Sequence, residues 1–206
     1  MPFQLPAGIE TKTIASHGTS IVYPQVVGLP DRQVEDQINQ QIAGAVKALI
    51  RGQAQYQTST RMEMVGHYEI KTNERGILSL TLTNYAYSYP MAHGVTLMKS
   101  LSFNVNTAQQ YQLSDLFKKE SNYVEIISKN VAAQIKQRDL PLIAPFTSIS
   151  PNQDYYLADK ALVVYFPPYE ITPGYVGFPM FPISVYEVNS LAPEDSPITI
   201  LSADIA

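Results

Sequence analysis

Tyr85, Tyr87 and Tyr89 recur at every second position, and the run ends in Pro90-Met91-Ala92-His93-Gly94. Tyrosine brings a large, rigid ring with a polar handle, which suits recognition of a protein or a glycan. The same rings could instead pack under a loop or pair with neighbouring strands, since aromatics are ordinary strand residues. His93 could contact a ligand or, given an aligned partner, act as a general base. Its ring could equally hydrogen-bond its own loop while Gly94 supplies a turn conformation. A second stretch of this kind is Tyr169-Glu170-Ile171-Thr172-Pro173-Gly174-Tyr175-Val176-Gly177, preceded by Pro167-Pro168. Its prolines and glycines predict a fixed loop carrying Tyr169, Glu170 and Tyr175, or else a sheet-edge connection with solvent-facing aromatics.

Other chemistry finds little support. With no cysteine, disulfides, thiol catalysis and thiolate metal sites are excluded. The histidines His17, His67 and His93 form no His-x-x-x-His or His-Glu-x-x-His spacing, so no metal site and no cofactor is expected. His67 and Glu69 share a strand face, an arrangement more typical of a solvated edge. No nucleophile elbow or phosphate loop occurs. Asp115, Asp154, Asp159 and Glu170 are the carboxylates that glycoside hydrolysis would need in a defined pair; Asp115 fits a helix entry better. Basic residues are scattered, with 14 Lys and Arg against 18 Asp and Glu, so no nucleic-acid partner is expected.

Around these residues, hydrophobic periodicity predicts the scaffold. Strands are expected at 9–14 and 20–27 about a His17-Gly18 turn. Asp31 then caps a helix whose Val34, Ile38, Ile42, Ala45, Val46 and Leu49 form one stripe, ending between Leu49 and Tyr56. Strands follow at 61–71, 77–89 and 95–105, the first two joined by a hairpin turn at Asn73-Glu74-Arg75-Gly76. Leu113 to Phe117 reads as a short helical entry. Ser121 reads as the cap of a second main helix carrying Tyr123, Ile127, Val131 and Ile135, which Pro141 stops. Strands are expected at 155–157, 161–166 and 181–188, with a partly polar tail after Ser190.

Strand parity separates the two faces of 77–89. Leu78, Leu80, Leu82 and Ala86 point to one side, the core side; Ser79, Thr81, Thr83 and the three tyrosines point to the other, the wetter side. A hydrophobic content of 45% supplies a real core. The predicted fold is α+β, with antiparallel sheet(s) and two main helices packed on one face. An N-terminal α+β subdomain is expected over 1–90 and a C-terminal one over 91–206. No apolar run is long enough to span a bilayer. The start, Met1-Pro2-Phe3-Gln4-Leu5-Pro6, lacks the charged and apolar regions of a signal peptide, which fits a cytoplasmic protein or one whose leader has been removed.

The set Tyr89 with Ala92-His93-Gly94, Phe103-Asn104, Leu113 with Asp115-Leu116-Phe117, Tyr155-Tyr156-Leu157, 163–166, and Tyr169-Glu170-Ile171 with Pro173, Tyr175 and Gly177 resembles a bacterial family of envelope domains of unknown function. That family includes the extracellular lysozyme-sensing domain of a Bacillus anti-sigma factor and the N-terminal, non-catalytic region of a peptidoglycan deacetylase. The part up to about residue 90 looks like the companion domain that precedes this one. The resemblance implies an α+β fold, no established catalysis, and a location outside the membrane of Gram-positive bacteria. Where the family usually has glycine before its Leu-x-Asp-Leu-Phe motif, this chain has Thr107-Ala108-Gln109. No anchor and no sigma-binding or deacetylase segment is visible, so a signalling role is not expected to carry over from the resemblance.

The leading expectation is a binding or sensor module for a lysozyme-like protein or cell-wall glycan, with Tyr85, Tyr87, Tyr89, His93, Tyr169, Glu170 and Tyr175 as candidate contacts and the two segments framing one surface. One alternative is a hydrolase acting on envelope glycan through His93 and Glu170. Another is a structural or oligomerising domain with the tyrosines at a subunit interface.

Overall fold

The tightest local signal, Arg75-Gly76 between two alternating runs, forms a two-residue hairpin turn. Both residues have positive φ, 52° and 78°, which matches the right-handed twist of the strands they join. In the computed structural model, which describes residues 6–203, this turn links β3 (Met62–Glu74) to β4 (Ile77–Ser88). The expectation for 1–6 falls on Met1 to Leu5, outside the described residues, except for Pro6. Before the hairpin come β1 (Gly8–Ser16), β2 (Thr19–Val27) and α1 (Arg32–Gln53); after it comes β5 (Val95–Asn104). The sheet order is β1-β2-β3-β4-β5. All neighbours are antiparallel except β2 and β3, which run parallel over Thr19–Ile21 against Met64–Gly66, because α1 carries the chain back across the sheet.

Asp31 caps α1 as expected, accepting from Gln33 N at 2.8 Å and Val34 N at 3.3 Å. Such a cap contributes about 1 kcal/mol. The helix stripe Val34, Ile38, Ile42 and Val46 is buried with Leu78, Leu80, Leu82, Leu101 and Phe103 in one core. Burying each aliphatic chain contributes roughly 1.5–3 kcal/mol.

The chain divides into two compact units, Met1–Gln110 and Tyr111–Ala206. The division expected at 90/91 would cut β5 from β4, yet their ladder runs from Ile77↔Asn104 to Ala86↔Val95, so β5 belongs with the first unit. Ala108, in the turn that usually carries glycine in the resembled family, has φ 60° and donates its N–H to Asn104 O at 2.9 Å. A left-handed alanine does here what glycine does more cheaply.

The second unit opens with a 3-10 turn, Leu113–Leu116. Gln112 and Asp115 cap it reciprocally, and Gln112 N donates to Asp115 Oδ2 at 2.8 Å. α2 (Tyr123–Gln137) follows. Ser121 is not its cap: its hydroxyl donates to Lys118 O at 2.6 Å, and Asn122 holds the cap position without a side-chain capping bond to the backbone. The helix ends at Gln137, before Pro141, where Asp139 turns left-handed at φ 49°.

β6 (Tyr155–Ala158), β7 (Ala161–Tyr165) and β8 (Met180–Ser184) form an antiparallel sheet in that order. α2 is latched to β8 by Gln134 Nε2 to Pro182 O at 2.8 Å and Arg138 Nη1 to Met180 O at 2.7 Å. The strand expected over 181–188 stops at Ser184. That serine accepts from Tyr186 N at 3.3 Å and starts α3 (Val185–Val188). The tail forms a further short helix, α4 (Pro197–Ser202), capped by Ser196. Among the described residues, no helix is long and apolar enough to cross a membrane.

Candidate functional site

In the first unit, α1 covers the leucine face of the sheet and the tyrosines lie on the other face. The register aligns Ala15, Ser20, Val65, Tyr85 and Thr96 in one row across all five strands. Tyr85 is 36% exposed and Tyr89 54%; Val65 is exposed beside Tyr85, and Tyr87, opposite Glu63, is half-buried. The other half of this face is not wet as expected. Ser79 and Thr81 are buried, and Ser79 shares a 2.9 Å hydrogen bond with Ser102 across the β4–β5 pair. Small hydroxyl side chains satisfied across the ladder tolerate a burial that the sequence pattern reads as polarity.

The backbone beneath the tyrosines is held from several sides. Gln53, fully buried at the end of α1, donates through Nε2 to Asn84 O at 2.7 Å and Val95 O at 3.0 Å, clamping β4 to β5 where the connection between them begins. Ser88 Oγ accepts from Ser59 N at 3.0 Å and Thr58 N at 3.2 Å. Tyr89 N donates to Arg61 O at 3.0 Å, and the Arg61 guanidinium lies 5.7 Å from the Tyr89 ring centroid, a cation–π distance. The Tyr85 ring lies on Gly94: a Cβ there would come within 2.3 Å of it. His93 is exposed, with Nδ1 3.0 Å from Gly94 O. Gln53, Ser88, Arg61 and Val65 were missed in the sequence because no periodic or motif signal marks them.

On the neighbouring strand, Glu69 is bonded to Lys71, which lowers its carboxyl below the usual range through that hydrogen bond and its charge; the His67 charge adds the smallest part. Among the described residues, no group of three or more His, Asp or Glu is placed to hold a metal ion.

The second unit carries the other segment. Pro167 to Gly177 is pinned by Glu170 N to Pro167 O (3.2 Å), Ile143 N to Ile171 O (3.1 Å), Val176 N to Pro173 O (3.0 Å) and Gly177 N to Gly174 O (3.1 Å). On this fixed loop Tyr169 is 64% exposed, Tyr175 82%, and Ile143 beside it 52%. Tyr169 has φ 68°, a left-handed conformation rarely taken by a bulky residue. Its ring lies on Gly174, where a Cβ would meet it at 2.2 Å. Exposed Glu170 accepts a long contact, 3.5 Å, from the buried amide of Gln153, which also donates to Tyr165 O at 3.1 Å. Both segments thus repeat one device, a tyrosine ring resting on a glycine at the rim of a rigid turn. They belong to different units, so His93 and Glu170 do too.

Residues 10–96 match the model described as "Deacetylase PdaC", and residues 114–186 match "Protein of unknown function (DUF3298)". The chain is 29% identical over 189 residues to the anti-sigma-V factor RsiV of Bacillus subtilis, covering 82% of this chain but only 63% of that protein. Two solved structures share the fold. A DUF3298 family member from Bacteroides fragilis has a TM-score of 0.67 at 13% identity, covering 98% of each chain. One from Pseudomonas aeruginosa has 0.65 at 12%, covering 97% of each. The resemblance carried by the tyrosine, His-Gly and Leu-x-Asp-Leu-Phe residues is thereby borne out: this α+β chain is similar to the DUF3298 family, with a PdaC-like segment ahead of the DUF3298-like one.

Proposed function

We propose that the chain is a non-catalytic recognition module of the bacterial cell envelope, acting outside the cytoplasmic membrane and binding a lysozyme-like protein or cell-wall glycan. The observation that carries this reading is the pairing of exposed tyrosines with immobilised backbone. Tyr169 and Tyr175 stand on a loop closed by four backbone hydrogen bonds. Tyr85 and Tyr89 stand on a strand end clamped by Gln53 and Ser88. Rigid aromatic anchors lose little conformational entropy on binding and make up much of the energy of recognition surfaces. The similarity to an anti-sigma factor and to a deacetylase model supports the envelope setting.

The test is direct binding of the purified chain to immobilised lysozyme and to insoluble peptidoglycan. One of the two should be retained. The Tyr169→Ala/Tyr175→Ala and Tyr85→Ala/Tyr89→Ala pairs, with unchanged unfolding transitions, should weaken that binding by at least about tenfold. Failure of the folded chain to bind either, or full binding by both double variants, overturns the reading.

A further inference from the structure

A concave surface lies in the first unit, away from the tyrosine face, where α1 meets the β1–β2 pair. It encloses about 330 Å³ and is lined by Lys12, Tyr23, Gln25, Asp36, Asn39 and Gln40. Asp36, Asn39, Gln40 and Ala43 line it from positions i, i+3, i+4 and i+7, one face of α1. Lys12 and Tyr23 are cross-strand partners on β1 and β2. The groove is braced by Asn39, whose amide accepts from Val26 N and donates to Val26 O, both at 2.8 Å.

Most of its other polar groups are uncommitted. Among the described residues, the side chains of Tyr23, Gln25, Asp36 and Gln40 make no hydrogen bond or ion pair, whereas Lys12 is paired with Glu10 at 3.2 Å. We infer that this groove is a binding site for a neutral, polyhydroxylated ring, that is, a saccharide unit.

The inventory decides the class. Each glutamine carboxamide offers two donors and an acceptor in one plane, Asp36 offers acceptors, and Tyr23 a hydroxyl. Only a ligand that both donates and accepts at closely spaced positions can satisfy all of them, as adjacent ring hydroxyls do. An anion would meet Asp36, with the one ammonium already neutralised by Glu10. An apolar ligand would strip water from the two carboxamides without replacing their bonds. The tyrosine ring gives the C–H face of a sugar an apolar wall. The volume is at the low end for ligand sites and fits about one or two sugar rings rather than a long chain.

The experiment is a titration of the full chain with chitotriose and with maltotriose, followed by amide chemical shifts, with glycerol as control. At least one trisaccharide should give saturable shifts at Tyr23, Gln25, Asn39 and Gln40, with a Kd on the order of 1 mM. The Gln25→Ala/Gln40→Ala variant should weaken binding about tenfold, and the conservative, exposed Asp36→Asn should weaken it without altering the fold. Shifts at the four groove residues that saturate without matching shifts at Tyr85, Tyr89, Tyr169 or Tyr175 separate this site from the recognition surface proposed above. The inference is overturned by an absence of saturable shifts with both sugars, by shifts confined to other surfaces, by equal response to glycerol, or by unimpaired binding in the glutamine variant.

Discussion

Tyr169 holds a conformation that its side chain disfavours. A left-handed backbone costs a non-glycine residue roughly 1–2 kcal/mol, and the exposed ring recovers little of that by burial. Tyr169→Gly should therefore keep or raise stability, by up to about 1 kcal/mol in urea unfolding, while losing ligand affinity. A clear loss of stability would mean that the ring's contact with Gly174 holds the loop together instead. Gly94→Ala tests the matching pair. A methyl group there would sit 2.3 Å from the far end of the Tyr85 ring, which is partly exposed and free to swing away. The expected outcome is a displaced ring, seen as changed Tyr85 ring proton shifts, at a stability cost of about 1 kcal/mol or less. At this scale the sequence was readable where a residue's type matched its environment. The rows of tyrosines and leucines could be assigned to opposite faces by parity alone. The glycines could not be identified as seats for tyrosine rings, because that contact joins residues whose separation in sequence carries no signal.

Elements were legible wherever one period ran long enough. The stripe of α1 and its Asp31 cap were read correctly, as were the Arg75-Gly76 hairpin and the Asp115 helix entry. The misreadings lie at changes of period: Ile183 to Val188 keeps an apolar pattern compatible with a strand, yet the Ser184 hydroxyl captures Tyr186 N and turns the chain into α3. Ser196-Pro197 carried the same kind of start signal for α4, and its hydroxyl also donates to Leu116 O at 2.7 Å. Gln53 is the hidden support at this scale. Gln53→Leu should leave Asn84 O and Val95 O without that donor, at a cost of about 2–4 kcal/mol in urea unfolding; an effect below about 0.5 kcal/mol would show that the clamp is dispensable. Tyr123 gives a pH-dependent case. It stacks on Phe117 at 4.6 Å and donates to Pro151 O at 2.9 Å; burial, then the Asp115 charge, raises its phenol above the ordinary 10.0. The fold thus favours the neutral phenol, and its contribution is complete below that ordinary value and fades as pH climbs through the raised one. Tyr123→Phe should cost about 1 kcal/mol at neutral pH, with the difference from the parent shrinking in alkaline unfolding curves.

For the whole molecule, the α+β class and order of the main elements were legible, but the boundary was not. The last predicted strand before it, β5, pairs with β4 along its length, and a chain scanned in order gives no sign of which neighbour a strand will choose. Net charge is also a property of the whole chain, and it separates the two ligands proposed for the tyrosine surface. The sequence carries −4 at neutral pH, with an isoelectric point near 5.3. A basic protein ligand would be drawn in by that field, and exposed charges are screened beyond about 8 Å at physiological ionic strength. Its association rate should therefore fall steeply between low and physiological salt, with a smaller change in the dissociation rate. A neutral glycan has no charge for the field to act on and should bind at the same rate across that range. Stopped-flow or surface-based kinetics at the two salt concentrations reads the difference directly. A salt-independent rate for a bound basic protein would locate its recognition wholly in the aromatic contacts and remove the chain's acidity from the mechanism.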